Sequence, residues 1–433
     1  MAIRCHACGC ESELEIGFEK RRRSFRRRVE PLCPSCGQRR RQRELKGLLR
    51  FTAGSALVAA PLLFVAPELP VAWLALNLLL LDLMIHLGTA FHEACHALSG
   101  RALGLKVFRI VLGCGRTQWK GTLFGVLVEW KAIPLGGMTL VAPVSPSAVR
   151  SRMAATTLAG PLSNLALAAL ASLAHPEVLD FARYTRGFAP LEAWVFANLV
   201  LGFGSLIPLK QTTEVGPAPS DGLRLLSLPF AGSTQIEEML VSRYAMEVLT
   251  AREDGDEVQM LAWAERGFAA HPDHLLTRDL LSLALMENDR WEQARTLYES
   301  QLEDPGILPE QRALIQNNLA YADFLSERDD RLDEANQLSA EALRALGWHP
   351  AIQGTRGAVL VALGESEAGI ALLRSSLEKV FDPRDRARVE CAVAIGLAEQ
   401  GEFEAAKAAL ERARAADPRC QLLERASRSL RSG

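Results

Sequence analysis

The stretch Phe91-His92-Glu93-Ala94-Cys95-His96 decides how the rest of the chain is read. At about 100° per residue, His92 and His96 lie one above the other on a helix, so their imidazoles can share a divalent cation. Glu93 sits slightly rotated from both, where its carboxylate can take a proton from a bound water without ligating the cation. Histidine pairs one turn apart are common in soluble helices, but the setting of this pair is not. The run from Pro70 to Leu98 is apolar enough to lie in a membrane, where ionisable side chains are costly and mark functional sites. Asp82, His86, Thr89 and Glu93 project to the same side as the two histidines, so that side must face protein, metal or water.

Working outward, residues 51–66 form a shorter apolar run, and Pro67 to Pro70 read as a tight turn between two helices that cross and return. From Lys106 to Val141 the pattern changes to β-rich runs, Val107 to Leu112, Leu123 to Ile133 and Met138 to Val141. Glycines and Pro134-Leu135-Gly136-Gly137 punctuate them, which predicts a small antiparallel layer beside the histidine helix. Met153 to Ala174 is a third apolar segment and carries Gly160-Pro161-Leu162-Ser163-Asn164. Its small residues admit close helix packing, and Asn164 requires a hydrogen-bonding partner. Phe188 to Leu209 is the fourth. Pro217-Ala218-Pro219-Ser220-Asp221-Gly222 then breaks the chain. A His-x-x-x-His pair needs a third protein ligand, and Asp221 is the best downstream carboxylate close to apolar sequence.

Charge and cysteine content divide the 433 residues further. The net charge of -2 hides a basic head, fourteen Lys/Arg against six Asp/Glu over residues 1–50, and an acidic tail, 23 against 36 over residues 231–433. Cys5-x-x-Cys8-Gly9 and Cys33-x-x-Cys36-Gly37 have the spacing of two zinc knuckles, four thiolates that suit a tetrahedral structural zinc. Cys10 reads as a bystander. Nine cysteines with four so paired favour metal over disulfides in a reducing compartment, and no secretory signal precedes the first apolar run. The arginine clusters between the knuckles read as a solvated face that keeps the head in the cytoplasm, and nucleic acid is not expected as a partner.

After Gly232 the composition becomes soluble and helical. Helix-ending prolines are expected at 272, 305, 350, 383 and 418, spaced by 33, 45, 33 and 35, three of the four close to the period of tetratricopeptide repeats. Segments beginning at Trp291, Leu332 and Gly401 resemble the second helix of such repeats, whose stacked surface would bind an unidentified protein partner.

Taken together, His92-Glu93-Ala94-Cys95-His96, Ile133-Pro134-Leu135-Gly136-Gly137, Ala159-Gly160-Pro161-Leu162-Ser163-Asn164 and Ser220-Asp221-Gly222 resemble the site-2 protease family of intramembrane zinc metalloproteases. The resemblance covers roughly residues 70–230. It implies that His92, His96 and Asp221 bind a catalytic zinc, that Glu93 is the general base, and that Asn164 lies near the scissile peptide or its developing oxyanion. It also implies that the strand region holds the substrate in extended form. Two departures stand out: Ser205 occupies the position where the family commonly has asparagine, with Asn198 well upstream, and the interval from Pro208 to Asp221 is long.

The expected architecture is mainly α: a zinc ribbon and basic head over 1–46, a polytopic helical membrane domain with a small β layer over 47–232, and a C-terminal α-solenoid over 233–433. Lysine and arginine counts place the head and repeats in the cytoplasm. The function this predicts is peptide hydrolysis of membrane-spanning substrate proteins, with one catalytic and one structural Zn2+. The alternative is an inactive membrane-anchored scaffold that recruits partners through the ribbon and repeats.

Overall fold

The computed structural model describes residues 2–14, 19–22, 29–34, 36–37, 40, 43, 54, 61, 65, 68–179, 181–213, 216–380 and 382–431. The apolar run at 51–66, expected as the first membrane helix, lies almost wholly outside them. The chain forms two compact units, one of residues 42–247 and one that joins residues 1–41 to residues 248–433.

In the 42–247 unit three helices pack on one another: α1 (Pro70–Ala102), α2 (Val149–Ala174) and α3 (Pro190–Leu206). α1 starts with proline in its first turn, where a missing N–H costs nothing, and stops where Gly104 turns the chain at φ +73°. Its 33 residues extend about 50 Å at 1.5 Å per residue. The burial pattern of α1 is the reverse of a soluble core helix. Small and polar residues are inside, among them Asn77, Gly88, Thr89, His92, Glu93 and His96, while Leu78, Leu83, Leu87, Phe91 and Leu98 are exposed. α2 repeats it, with Thr156, Thr157, Gly160 and Asn164 buried and Leu162, Leu170 and Leu173 exposed. Both helices are long and apolar enough to cross a membrane; α3 is apolar but shorter.

Between α1 and α2 run two long strands, β1 (Leu105–Leu123) and β2 (Val126–Pro143), in an irregular hairpin. Residues Arg109 to Leu112 pair with Gly137 to Leu140 in antiparallel register and also with Leu127 to Trp130 in step, so the hairpin folds back on itself. The expected β layer is therefore present, made from two bent strands. It lies on α1, where a Cβ on Gly100 would meet Val107 and Val141. After α3 the long interval before Asp221 is taken up by a second hairpin, β3 (Lys210–Thr213) with β4 (Gly216–Pro219), and α4 (Asp221–Ser227) follows at once.

The other unit stacks helix pairs. After α5 (Ser233–Asp254), within which the two units divide, come α6 (Glu257–Ala270) and the pairs α7 (Leu275–Glu287) with α8 (Trp291–Leu302), α9 (Pro309–Leu325) with α10 (Leu332–Leu346), α11 (Pro350–Ala362) with α12 (Ser366–Leu377), and α13 (Pro383–Glu399) with α14 (Phe403–Ala416). α15 (Leu423–Arg431) closes the chain. The segments at Trp291, Leu332 and Gly401 do open second helices. The prolines act differently from expectation: Pro350 and Pro383 begin helices instead of ending them, the position where a fixed φ suits the first turn. The interval of 45 reflects the 17-residue α9 and a 3-10 turn at Asp329–Arg331.

The head belongs to this same unit. Glu13 N–H donates to Arg344 O at 2.9 Å, Leu14 N–H to Ala345 O at 3.2 Å, and Ser12 Oγ to Ala345 O at 2.6 Å. These are among the last carbonyls of α10, which have no partner within their own helix. Leu14 packs beside Ala313, Ala342, Leu346 and Ile352, so the head is bonded and packed onto the repeats.

Candidate metal centre

His92 and His96 face Asp221 across the centre of the 42–247 unit. His92 Nε2 is 3.1 Å and His96 Nε2 3.6 Å from Asp221 Oδ2, and the three donor atoms all lie within 4.8 Å of one another. A tetrahedral zinc with bonds of about 2.05 Å sets its ligand atoms roughly 3.3 Å apart, so this triangle fits the ion.

The hydrogen bonds behind the rings make the same point. His96 Nδ1 lies 2.7 Å from Thr156 O, which can only accept, so Nδ1 carries the proton. His92 Nδ1 lies 2.6 Å from Asn164 Oδ1. The Asn164 amide nitrogen donates to Gly88 O at 3.1 Å and to Asn198 Oδ1 at 2.7 Å, which turns its oxygen toward His92. Asn198 is fixed in turn by donating to Trp194 O at 2.9 Å. With both Nδ1 atoms protonated, both Nε2 atoms present lone pairs to a carboxylate. Three acceptors face one point, an arrangement that calls for a cation between them.

Asp221 reaches this point through Ser220. The Ser220 hydroxyl donates to Ile207 O at 2.6 Å and accepts from Leu209 N at 3.0 Å and from Leu223 N at 3.2 Å, while Ser220 N–H donates to Leu209 O at 2.8 Å. One residue thus caps α4 and ties it to the end of α3, so the first residue of α4 is held in place.

Glycines make the room. A Cβ on Gly160 would stand 2.4 Å from His96 Nε2 and 2.7 Å from His92 Nε2, and one on Gly137 would stand 2.6 Å from the Glu93 side chain. One on Gly222 would overlap Leu206 O at 1.8 Å. The backbones of α2, β2 and α4 therefore approach the site more closely than any side chain would allow.

Glu93 is buried, and Thr139 of β2 lies 2.7 Å from its Oε2 and 3.0 Å from its main-chain oxygen. His92, Glu93, His96 and Asp221 line one cavity of about 340 Å³, with Gly136 to Thr139 of β2, Ser205 and Arg224 also on its wall. The structure thus brings together His92, Glu93, His96 and Asp221. Asn164, expected beside the scissile peptide, stands behind His92 with 0% exposure, its polar atoms engaged with His92, Gly88 and Asn198. Sequence reading gave Asn198 and Thr139 no role. An asparagine within the apolar α3 was the available signal for the first, and Thr139 carried none.

In the head, Cys5, Cys8, Cys10 and Cys33 place their sulfurs within 4.8 Å of one another. Cys36 adjoins Cys8 and Cys33. Cys10, expected to stand aside, joins the cluster because Gly9 turns the chain at φ +73° and Cys5 N–H donates to Cys10 O at 2.8 Å. The hydrogen bond from Cys10 is the main cause that draws Cys33 below the ordinary thiol range, toward the thiolate a cation needs.

Among solved structures, the chain is similar to a thermophilic TPR protein of Thermus thermophilus, at 17% identity over 44% of this chain and 98% of that one, with a TM-score of 0.35. It is also similar to MamA MSR-1, at 17% identity over 41% of this chain and 97% of that one, with a TM-score of 0.28. No curated protein matches. Residues 80–178, which hold His92, Glu93, His96 and Asn164 but end before Asp221, match the family model of Peptidase family M50.

Proposed function

We propose that this protein is an intramembrane zinc metalloprotease that hydrolyses peptide bonds of membrane-spanning substrate proteins. The observation that carries the reading is the convergence of His92 Nε2, His96 Nε2 and Asp221 Oδ2 on one point, in a cavity that also exposes the Glu93 carboxylate. The outward leucines of α1 and α2 support a lipid environment, since a soluble protein would turn them inward. On this reading the unit is multi-pass, with the head and repeats in the cytoplasm.

His92, His96 and Asp221 would hold a zinc ion, which when bound would supply Lewis acidity to the scissile carbonyl and to the attacking water. Glu93 accepts the proton of the attacking water and passes it to the leaving amine nitrogen, so the carboxylate is restored at the end of the turnover. Thr139 fixes the Glu93 carboxylate, and Asn164 with Asn198 fixes the tautomer and plane of His92, which makes Asn164 a positioning residue. Gly136 to Thr139 line the cavity and offer main-chain groups to an extended substrate. A substrate helix must unwind to use them, because its own amides are otherwise engaged. The stacked repeats offer a surface for an unidentified protein partner.

The test is a purified-protein assay on a tagged single-span reporter. Glu93→Gln leaves the zinc content at wild-type level and abolishes cleavage, and His92→Ala with Asp221→Ala removes one zinc per chain. Cleavage that survives Glu93→Gln overturns the mechanism. A zinc content that His92→Ala with Asp221→Ala does not change supports the scaffold reading instead.

A further inference from the structure

Beside the metal, a hydrogen-bond donor can share the charge that develops on the scissile carbonyl oxygen, and the side chain expected to supply it is turned away. Both donor contacts of the Asn164 amide go to Gly88 O and Asn198 Oδ1, outside the cavity. The hydroxyls on the cavity wall are largely committed as well: Thr89 donates to Ile85 O, Thr139 to Glu93, Ser205 to Gly202 O and Ser220 to Ile207 O. Arg224 is different. It is the one arginine or lysine among the described residues that line this cavity, and it is half-buried. It follows Asp221 by three residues on α4, hence on the same face one turn along. The Thr156 hydroxyl, 2% exposed, lines the same cavity without a hydrogen-bond partner among the described residues. A cation and a buried open hydroxyl on the wall that holds Glu93 are what a polar substrate group would complete.

We propose that Arg224 is a catalytic residue that donates guanidinium hydrogen bonds to the scissile carbonyl oxygen as charge develops there. The proposal rests on the hydrolase reading above. A planar fork of N–H groups held on the cavity wall stabilises that charge without reorganising. Because the guanidinium is carried on the helix that Asp221 begins, Ser220 and its ties to α3 position both groups at once.

The experiment uses the full chain in proteoliposomes, with three readouts: reporter turnover, zinc content, and affinity for two peptides built on the cleaved sequence. One is a phosphinic analogue, whose charged oxygens stand where the tetrahedral oxygen would be; the other is the plain N-terminal product. Arg224→Gln is expected to keep wild-type zinc and a KM within about threefold, while kcat falls about 10²–10³-fold, the loss typical of one such donor. Affinity for the phosphinic peptide should fall to a similar extent and that for the product peptide by less than about threefold. Arg224→Lys keeps the charge without the fork and should recover part of kcat. Unchanged kcat in Arg224→Gln overturns the proposal, as does loss of a zinc, which would make Arg224 a support for Asp221. Equal weakening of the two peptides also overturns it, since the contact would then belong to the ground state. If the wild-type protein does not cleave the reporter, the hydrolase reading fails and this proposal with it; wild-type turnover that Arg224→Gln leaves intact sinks this proposal alone.

Discussion

Gly160→Ala sets helix propensity against the geometry of the candidate metal centre. In a helix interior this substitution normally stabilises by roughly 0.5–1 kcal/mol, because alanine loses less backbone entropy on folding. Here the new methyl would stand 2.4 Å from His96 Nε2 and 2.7 Å from His92 Nε2. Ordinary contact begins near 3.4 Å, so one or both imidazoles, or the whole of α2, must retreat by about 0.7–1.0 Å. Ligand distances tolerate only about 0.2 Å, and Thr156 O and Asn164 Oδ1, which hold the two rings, move with α2, so either retreat disturbs the ligand set. The expected result is a protein whose helix content and melting temperature are unchanged or slightly raised. Its zinc should drop by one per chain, with affinity at this site at least ~100-fold weaker, beyond the ~10–100-fold typical of losing a residue behind a ligand. Zinc is counted by elemental analysis after dialysis against a graded chelator, beside circular dichroism of the same samples. Wild-type zinc retention with wild-type cleavage would refute the reasoning, because α2 would then have room that the structure denies it.

Asn164→Leu removes the acceptor behind His92 and leaves Asn198 without its donor; zinc affinity at this site should fall about 10–100-fold in a competition titration, with the head's zinc unaffected. Ser220→Ala cuts the cap of α4 and its ties to Ile207 and Leu209, which costs about 1–2 kcal/mol and should weaken the same site, seen as lower zinc retention. Removing metal from the head, by Cys33→Ser, should free the Glu13 and Leu14 amides from Arg344 and Ala345, read as faster hydrogen exchange at those two positions. In the repeats, burial raises the Asp279 carboxyl from 3.8 to about 6. A folded value above the unfolded one means the native state holds the proton longer, so stability falls as pH rises from about 4 to 6. Asp279→Asn should therefore flatten that slope and stabilise the protein at pH 7.5 by about 1–3 kcal/mol in denaturant melts.

The three candidate ligands that the structure brings together were legible in the sequence because their placement is local or forced. His92 and His96 are related by one turn, and a helix fixes that relation wherever it occurs. Asp221 was reached by a need, a third donor, together with its closeness to apolar sequence. The residues that aim those ligands were less legible, since partner choice depends on which helix faces pack. Asn164 could be read as requiring a hydrogen bond, yet nothing in one chain says whether its partner is a substrate or another helix. Asn198 lies 34 residues further on, and only the packing of α2 against α3 brings it to Asn164. Thr139 meets Glu93 through a hairpin whose doubled register the alternation of residues does not encode. The head's attachment to the repeats was invisible for the same reason: Ser12 and Leu14 meet α10 at a separation of more than 300 residues.

The two departures from the resembled pattern each have a structural answer. The long interval before Asp221 forms a β-hairpin, β3 with β4, whose paired strands return the chain to its starting point, so Ser220 N–H meets Leu209 O at 2.8 Å. Extra length is absorbed without displacing the carboxylate, because a hairpin's ends stay adjacent whatever its length. What matters to the metal centre is then the closure and not the count of residues between Pro208 and Asp221. Ser205, where the resembled pattern commonly has asparagine, donates to Gly202 O at 3.2 Å within α3. The side-chain amide that this position lacks is present one level deeper, where Asn198 bonds Asn164 behind His92. Substituting Ser205 should for that reason leave zinc binding intact, whereas substituting Asn198 should weaken it. Equal zinc affinity in the two variants would show that the Asn198–Asn164–His92 connection does not hold the ring.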